Sequence, residues 1–252
     1  MKTARISNAF AKAKAEGRGA FVAYLTMGFP TVEASERAAD EAIENGADVL
    51  ELGVPFSDPF ADGGVIRSAA YEALKNGVTL ADIIALAGRI RAKHPETGLV
   101  LFSYYNPVFS MGLDKFAAAV ADAGIDAVLV VDLPLEEREE LLSSLRPHDI
   151  GFVPLIAPNT PIERVMESEK GIGDSFLYVI TVKGTTGART ELPPDLAQRL
   201  DAIRSVAHLP IAAGFGISTR AQAEEVSRHA DGFIVGSALV KCVAEGKPPC
   251  LS

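Results

Sequence analysis

Two carboxylates, Glu51 and Asp62, stand eleven residues apart in the run DVLELGVPFSDPFADG, which spans residues 48–63. Two acids in different surroundings can divide labour, one exchanging protons while the other stays charged. From Asp48 to Gly53 the chain alternates as a strand does: Leu50 and Leu52 share one face, and Val49, Glu51 and Gly53 share the other. In a parallel barrel the helix-facing side must be apolar, so Leu50 and Leu52 point outward and Glu51 points in, near the strand's C-terminal end. A carboxylate there is costly unless it has partners or chemistry to do, and catalytic groups of parallel barrels gather at that end. The structural alternative for Glu51 is a buried acid tied to a neighbouring backbone or hydroxyl group. For Asp62 a plain Asp-Gly turn explains the residue equally well, and Asp58, in Ser57-Asp58-Pro59, reads as a turn residue.

Three glycine-bearing loops in the later part of the chain suit an anion: KGTTG at 183–187, AGFGIS at 213–218 and VGSA at 235–238. Each follows a predicted strand and offers backbone N–H groups uncrowded by side chains. Gly236 and Ser237 also open a short helix, whose positive dipole end favours phosphate. One such loop alone would read as turn and cap glycines; two adjacent ones at the last strands point to a phosphate. The parity that turns Glu51 inward also brings Tyr24, Phe102, Tyr104, Leu129, Val131 and Tyr178 to one interior mouth. Together they make a flat apolar slot beside the carboxylates, although each taken singly is equally well barrel core. His94, His148, His208 and His229 fall on helices or helix ends and read as surface residues.

The elements that must hold these groups alternate along the chain. After an amphipathic opening helix, strands are predicted at Ala20–Thr26, Asp48–Gly53, Leu99–Tyr104, Ala127–Val131, Phe152–Ile156, Ser175–Thr181, Pro210–Ala213 and Gly232–Val235. Helices are predicted between them: one from Thr31 to Asn45-Gly46, then Ile66–Lys75 and Leu80–Lys93 as a pair after the second strand. Asn106-Pro107 breaks the third strand before a helix at Leu113–Asp122, and an acidic helix follows at Leu135–Leu145. Further helices are expected at Pro161–Ser168, Pro194–Val206 and Thr219–His229, with a short last one after Gly236. Eight strands alternating with helices, with no linker-like segment, predict an α/β fold: a single (β/α)8 TIM barrel over 1–252, with an extra N-terminal helix and an inserted helix after the second strand. The competing open doubly wound sheet lacks its Gly-rich dinucleotide turn after the first strand.

The 252 residues match the ~250 typical of such a barrel. A net charge of −9 without a long basic run argues against non-specific nucleic-acid binding, while leaving room for a local anion pocket. Cys242 and Cys250 match no metal spacing and read as reduced thiols. The opening MKTARISNAFAKAKAEG has no apolar signal core, and no apolar run approaches the ~20 residues of a membrane span. A cytoplasmic chain is expected.

The stretch Glu51–Gly63, ELGVPFSDPFADG, resembles the signature of the tryptophan synthase α-subunit family, with Phe60 standing where the family pattern has Leu. The resemblance covers essentially the whole chain, through GAFVAYLTMGFP, YYNPVF, VVDLPLEE, TTGAR, GFGIS and VGSA in order. It implies a (β/α)8 barrel that cleaves indole-3-glycerol phosphate to indole and glyceraldehyde 3-phosphate. It also implies Glu51 as general acid/base and Asp62 as the carboxylate that holds the indole N–H. Gly187, Gly216, Gly236 and Ser237 fall where the family binds the substrate phosphate, and Tyr24, Phe102, Leu129 and Tyr178 where it encloses the indole ring. Thr186 matches a loop residue that folds over the site to meet Asp62. The implied partner is a β-subunit holding pyridoxal phosphate in an αββα heterotetramer, and nothing in this chain suggests that it binds pyridoxal phosphate, or any metal, itself.

Departures from the family pattern are Gly64 where many members carry Pro, Arg67 where many carry Gln, and Lys183-Gly184-Thr185 in the sixth loop. They bear on loop closure and communication with the partner and leave the chemistry intact. The alternatives are a stand-alone indole-3-glycerol phosphate lyase that releases free indole, another phosphate-sugar barrel such as an isomerase or epimerase, and a non-catalytic binding barrel. The last has no physical reason to keep an inward carboxylate.

Overall fold

Strand runs rich in Val, Leu, Ile and Ala on both faces can be satisfied only in a sheet that is covered on both sides. The structure, a computed structural model, describes residues 4–181, 193–214 and 216–251. Its strands are β1 (Ala20–Thr26), β2 (Val49–Gly53), β3 (Gly98–Ser103), β4 (Ala127–Val130) and β5 (Gly151–Phe152). They continue with β6 (Leu155–Ile156), β7 (Leu177–Ile180), β8 (Ile211–Gly214) and β9 (Gly232–Val235). All pairings are parallel, in the order β5-β4-β3-β2-β1-β9-β8-β7-β6. The two ends of that order, β5 and β6, are consecutive pieces of one run, so the sheet closes on itself as a TIM barrel.

The register preserves the predicted parity. Tyr24 lies opposite Glu51, Glu51 opposite Val100, and Phe102 opposite both Gly53 and Leu129. Tyr178 lies opposite Leu155 on one side and Ala212 on the other. Residues opposed across a parallel pair share a face, so all five side chains named for the site point into the barrel. Leu50 and Leu52, fully buried, face the helices.

The helices are α1 (Arg5–Ala15), α2 (Val32–Glu44), α3 (Gly64–Lys75), α4 (Leu80–Lys93), α5 (Tyr105–Met111) and α6 (Leu113–Asp122). They continue with α7 (Glu139–Leu145), α8 (Ile162–Ser168), α9 (Leu196–Arg204), α10 (Arg220–Val226) and α11 (Ser237–Ala244). Thr31 caps α2 through the Ala34 N–H, and Thr79 and Asp82 form a reciprocal capping box on α4. As expected, α3 and α4 both lie between β2 and β3, and α1 precedes the first strand. The α1 helix buries Ile6, Phe10 and Ala13 against the barrel's N-terminal end. Its fit requires Gly232, where a Cβ would stand 2.8 Å from the Phe10 ring.

One helix is unanticipated, and two expectations need correction. The third strand ends ahead of the Asn106-Pro107 pair, as expected, but the pair sits in the first turn of α5, the unanticipated helix, where the amide that proline lacks would have no intrahelical acceptor anyway. The side chain of Asp132, from the loop after β4, accepts the Tyr105 N–H at 2.7 Å and starts that helix. The acidic helix expected from Leu135 begins only at Glu139: residues 135–138 form turns, with the Glu137 N–H on the Pro134 carbonyl at 3.0 Å, and the Arg138 guanidinium at the N-cap turns inward to the carbonyls of Ser168, Glu167 and Lys170. The fifth strand is interrupted between Phe152 and Leu155, since Pro154 has no N–H for the ladder. Pairing still spans the gap, from the Val153 N–H to the Val128 carbonyl at 2.8 Å and from the Tyr178 N–H to the Pro154 carbonyl at 3.0 Å. Among the described residues no helix is long and apolar enough to cross a membrane.

Candidate active site

Glu51 sits in the middle of β2 with no exposed surface, and among the described residues neither carboxylate oxygen has a hydrogen-bond partner. The described residues therefore do not supply the structural alternative, an acid tied to a neighbouring hydroxyl or amide. Burial alone pushes this carboxyl up to about 8, so Glu51 holds a proton at neutral pH.

Asp62 lies on the long loop between β2 and α3, and is also buried. Its Oδ2 accepts a hydrogen bond from the Tyr104 hydroxyl at 3.0 Å. Burial pushes its carboxyl up to about 6, while the Tyr104 hydrogen bond and the charge of Arg67 pull the other way. Asp62 is thus mostly ionised at neutral pH. The two acids divide in the sense two roles require, one protonated and one charged.

The apolar slot assembles as parity predicts. Tyr24, Phe102, Leu129 and Tyr178 are all buried, and the Tyr24 and Phe102 rings meet edge to face at 5.1 Å. Two inward glycines give the tyrosines their room: a Cβ on Gly53 would lie 2.4 Å from the Tyr24 hydroxyl, and one on Gly214 would lie 2.5 Å from that of Tyr178. Burial pushes both phenols well up, with Asp62 and Glu51 adding to the effect on each. Both carboxylates therefore act electrostatically on the same two rings.

The anion loops are partly described. Gly216, after β8, adopts φ +93°, and Gly236, after β9, is the N-cap of α11, whose first residue is Ser237. Strands β8 and β9 are adjacent, so these turns end side by side. The first amides of α11 have no intrahelical acceptor and point out of its N-terminus. Gly187 and Thr186, with the rest of KGTTG, lie outside the described residues.

His94, His208 and His229 pair with Asp40, Glu169 and Asp201 respectively, and none of the three takes part in the contacts around the carboxylates. Cys242 and Cys250 are free thiols. The residue whose importance the sequence conceals is Tyr104. Parity brings it to the mouth as a ring, but its hydroxyl contact to Asp62 crosses 42 residues of chain and has no local signature.

A family model described as tryptophan synthase alpha chain matches residues 10–249. The chain belongs to the tryptophan synthase alpha chain family. A tryptophan synthase alpha chain of Opitutus terrae is 42% identical over 96% of this chain and 90% of its own length, and that of Aquifex aeolicus is 41% identical over 96% and 93%. Among solved structures, a chain of Mycobacterium tuberculosis tryptophan synthase superposes with a TM-score of 0.87 at 34% identity, covering 96% of this chain and 91% of that one. A chain from the Pyrococcus furiosus tryptophan synthase α2β2 complex does so with a TM-score of 0.83 at 38% identity, covering 90% and 91%. The tryptophan synthase alpha chain family makes this protein an enzyme subunit, and its fold is the barrel the strand pattern predicts.

Proposed function

We propose that this chain cleaves indole-3-glycerol phosphate to indole and glyceraldehyde 3-phosphate. The observation that carries the reading is Glu51: a fully buried carboxyl, without a hydrogen-bond partner among the described residues and protonated at neutral pH, which shares the barrel interior with Tyr24 and Tyr178, the two rings on which Asp62 also acts. Glu51 gives its proton to indole C3, breaking the aromaticity of the five-membered ring. Asp62, ionised, accepts the ring N–H and stabilises the positive charge that develops at nitrogen. The C–C bond then breaks as the adjacent glycerol hydroxyl loses its proton to Glu51, now a carboxylate. The bond electrons return to the ring, indole regains aromaticity, and the released three-carbon fragment is an aldehyde. One proton is given and one taken, so Glu51 ends as it began. These steps need no cofactor on this chain, because side chains carry both protons.

The phosphate is assigned to Gly216, Gly236 and Ser237, with Gly187 completing the cup and Thr186 the closure toward Asp62. Binding energy at that remote group can orient the reacting end. The indole ring is assigned to the slot between Tyr24, Phe102, Leu129 and Tyr178. The partner is a tryptophan synthase β-subunit, which would hold the pyridoxal phosphate and consume the indole. The stand-alone lyase is not favoured, because the relatives named above are alpha chains of tryptophan synthase. The deciding experiment is indole release from indole-3-glycerol phosphate by the purified chain, alone and with a β-subunit. Slow release that accelerates on addition is expected. Fast release without the partner would favour the free-standing lyase, and no release in either case would remove the reading.

A further inference from the structure

We propose that Tyr104 is a positioning residue that fixes which oxygen of Asp62 meets the substrate N–H and keeps that oxygen free of a proton. This rests on the reading of Asp62 given above.

The Tyr104 hydroxyl has two described partners. It accepts from the Ala61 backbone N–H at 3.1 Å and donates to Asp62 Oδ2 at 3.0 Å. A phenol has a single proton. With the Ala61 amide directed at its oxygen, that proton goes to Asp62, so the hydroxyl serves the carboxylate as a donor. The ring is held independently of the hydroxyl: Phe56 stacks on it at 4.8 Å and Phe60 meets it edge-on at 5.5 Å. Tyr104 thus grips the loop through two rings and one amide of the same segment that carries Asp62.

The consequence concerns the other oxygen. With Oδ2 engaged, Oδ1 is the atom left to accept an N–H from a ring in the slot. It is also the atom that a proton would occupy on acidification. Protonation and substrate binding then compete for one site, and the competition appears in kcat/KM, which reports the free enzyme. The other groups acting with Asp62 are Arg67 from α3, and Tyr24 and Tyr178 from β1 and β7, which it shares with Glu51 of β2. A Tyr104→Phe change leaves all of them in place, and leaves the ring contacts to Phe56 and Phe60.

The test is the pH profile of Tyr104→Phe beside the wild type, with 13C titration of the Asp62 carboxyl in both proteins without substrate. Loss of a hydrogen bond to a charged group should move the acid limb of kcat/KM, and the Asp62 titration, up by about one pH unit, with plateau kcat within a few-fold of wild type. Near pH 6 this lowers kcat/KM about fivefold relative to wild type. An acid limb and a titration that both stay in place would overturn the proposal. If Tyr104→Phe does not fold, a 3-fluorotyrosine at position 104 keeps the shape and makes a stronger donor. Both readouts should then move down, and an unmoved pair again overturns it. Should the wild type fail to cleave indole-3-glycerol phosphate, the functional reading falls. The 13C titration still decides whether Tyr104 governs Asp62.

Discussion

At the N-terminal end of the barrel, Asp126 accepts from Arg5 at 2.9 Å, from Arg91 at 2.7 Å and from the Leu99 N–H at 2.9 Å. Near the other end Glu51 is more deeply buried and accepts from no described residue. The N-terminal pattern recurs. Asp48 accepts from Arg18 and from the Phe21 N–H at 2.8 Å, and Asp231 from Arg204 at 2.9 Å and the Ile211 N–H at 3.0 Å. In each case the aspartate's own N–H also donates to the carbonyl of the same residue on the neighbouring strand. These acids staple adjacent strands at their starts, and Asp174 does similar work by accepting the first-turn amides of Ile6 and Ser7 in α1. Where the barrel needs stability its carboxylates are saturated; where it needs a proton donor, saturation would hold the carboxyl ionised. The lesson is that burial alone does not assign a role to an acid. Its partners do.

The sharpest way to test that contrast is Glu51→Gln. Turnover should fall at least about a hundredfold, with substrate affinity largely intact, and a variant keeping more than a few per cent of the wild-type rate would break the assignment. The same change should stabilise the fold. The folded protein holds the Glu51 proton to about pH 8, whereas the unfolded chain releases it near 4.5. Wild-type stability should therefore be highest below that window and decline as pH rises through it. Glutamine removes the decline, worth about 2–5 kcal/mol at pH 9 by urea unfolding.

Asp126→Ala should do the reverse. It leaves two guanidinium groups and the Leu99 amide without their acceptor, costing about 3 kcal/mol in urea while kcat stays at the wild-type value. Asp48→Ala, with the more exposed Arg18 as partner, should cost about 1–2 kcal/mol, chiefly from the stranded Phe21 amide. The smallest effect is expected at the mouth. Gly64 is the first residue of α3, follows Gly63 in an extended conformation (φ −77°, ψ 169°), and has open space where a side chain would stand. Gly64→Pro should therefore fit, raising stability by about 0.5–1 kcal/mol through the unfolded chain. A destabilised variant would show that the Gly64 amide is engaged.

Much of the barrel could be read directly, because a strand covered on both faces must be apolar and its parity is local. The runs at Ala20–Thr26 and Gly232–Val235 needed no correction. The places not legible are those where a distant residue meets the backbone: Asp132 at the start of α5, and Arg138, at the N-cap of α7, reaching the end of α8. The site was legible to the same degree. Parity selected Tyr24, Glu51, Phe102, Leu129 and Tyr178, all of which share the interior, together with Tyr104 and Val131, whereas the contact of the Tyr104 hydroxyl and the charge of Arg67 beside Asp62 were not visible.

The sequence by itself determined which way Glu51 points and that glycine turns end the last two strands, since both follow from period and spacing along a few residues. Only the tertiary structure decided that Glu51 is protonated, that Asp62 is ionised, and that one tyrosine holds the second acid in place. Those properties depend on solvent exclusion and on partners dozens of residues away, which closure of the ring alone brings together.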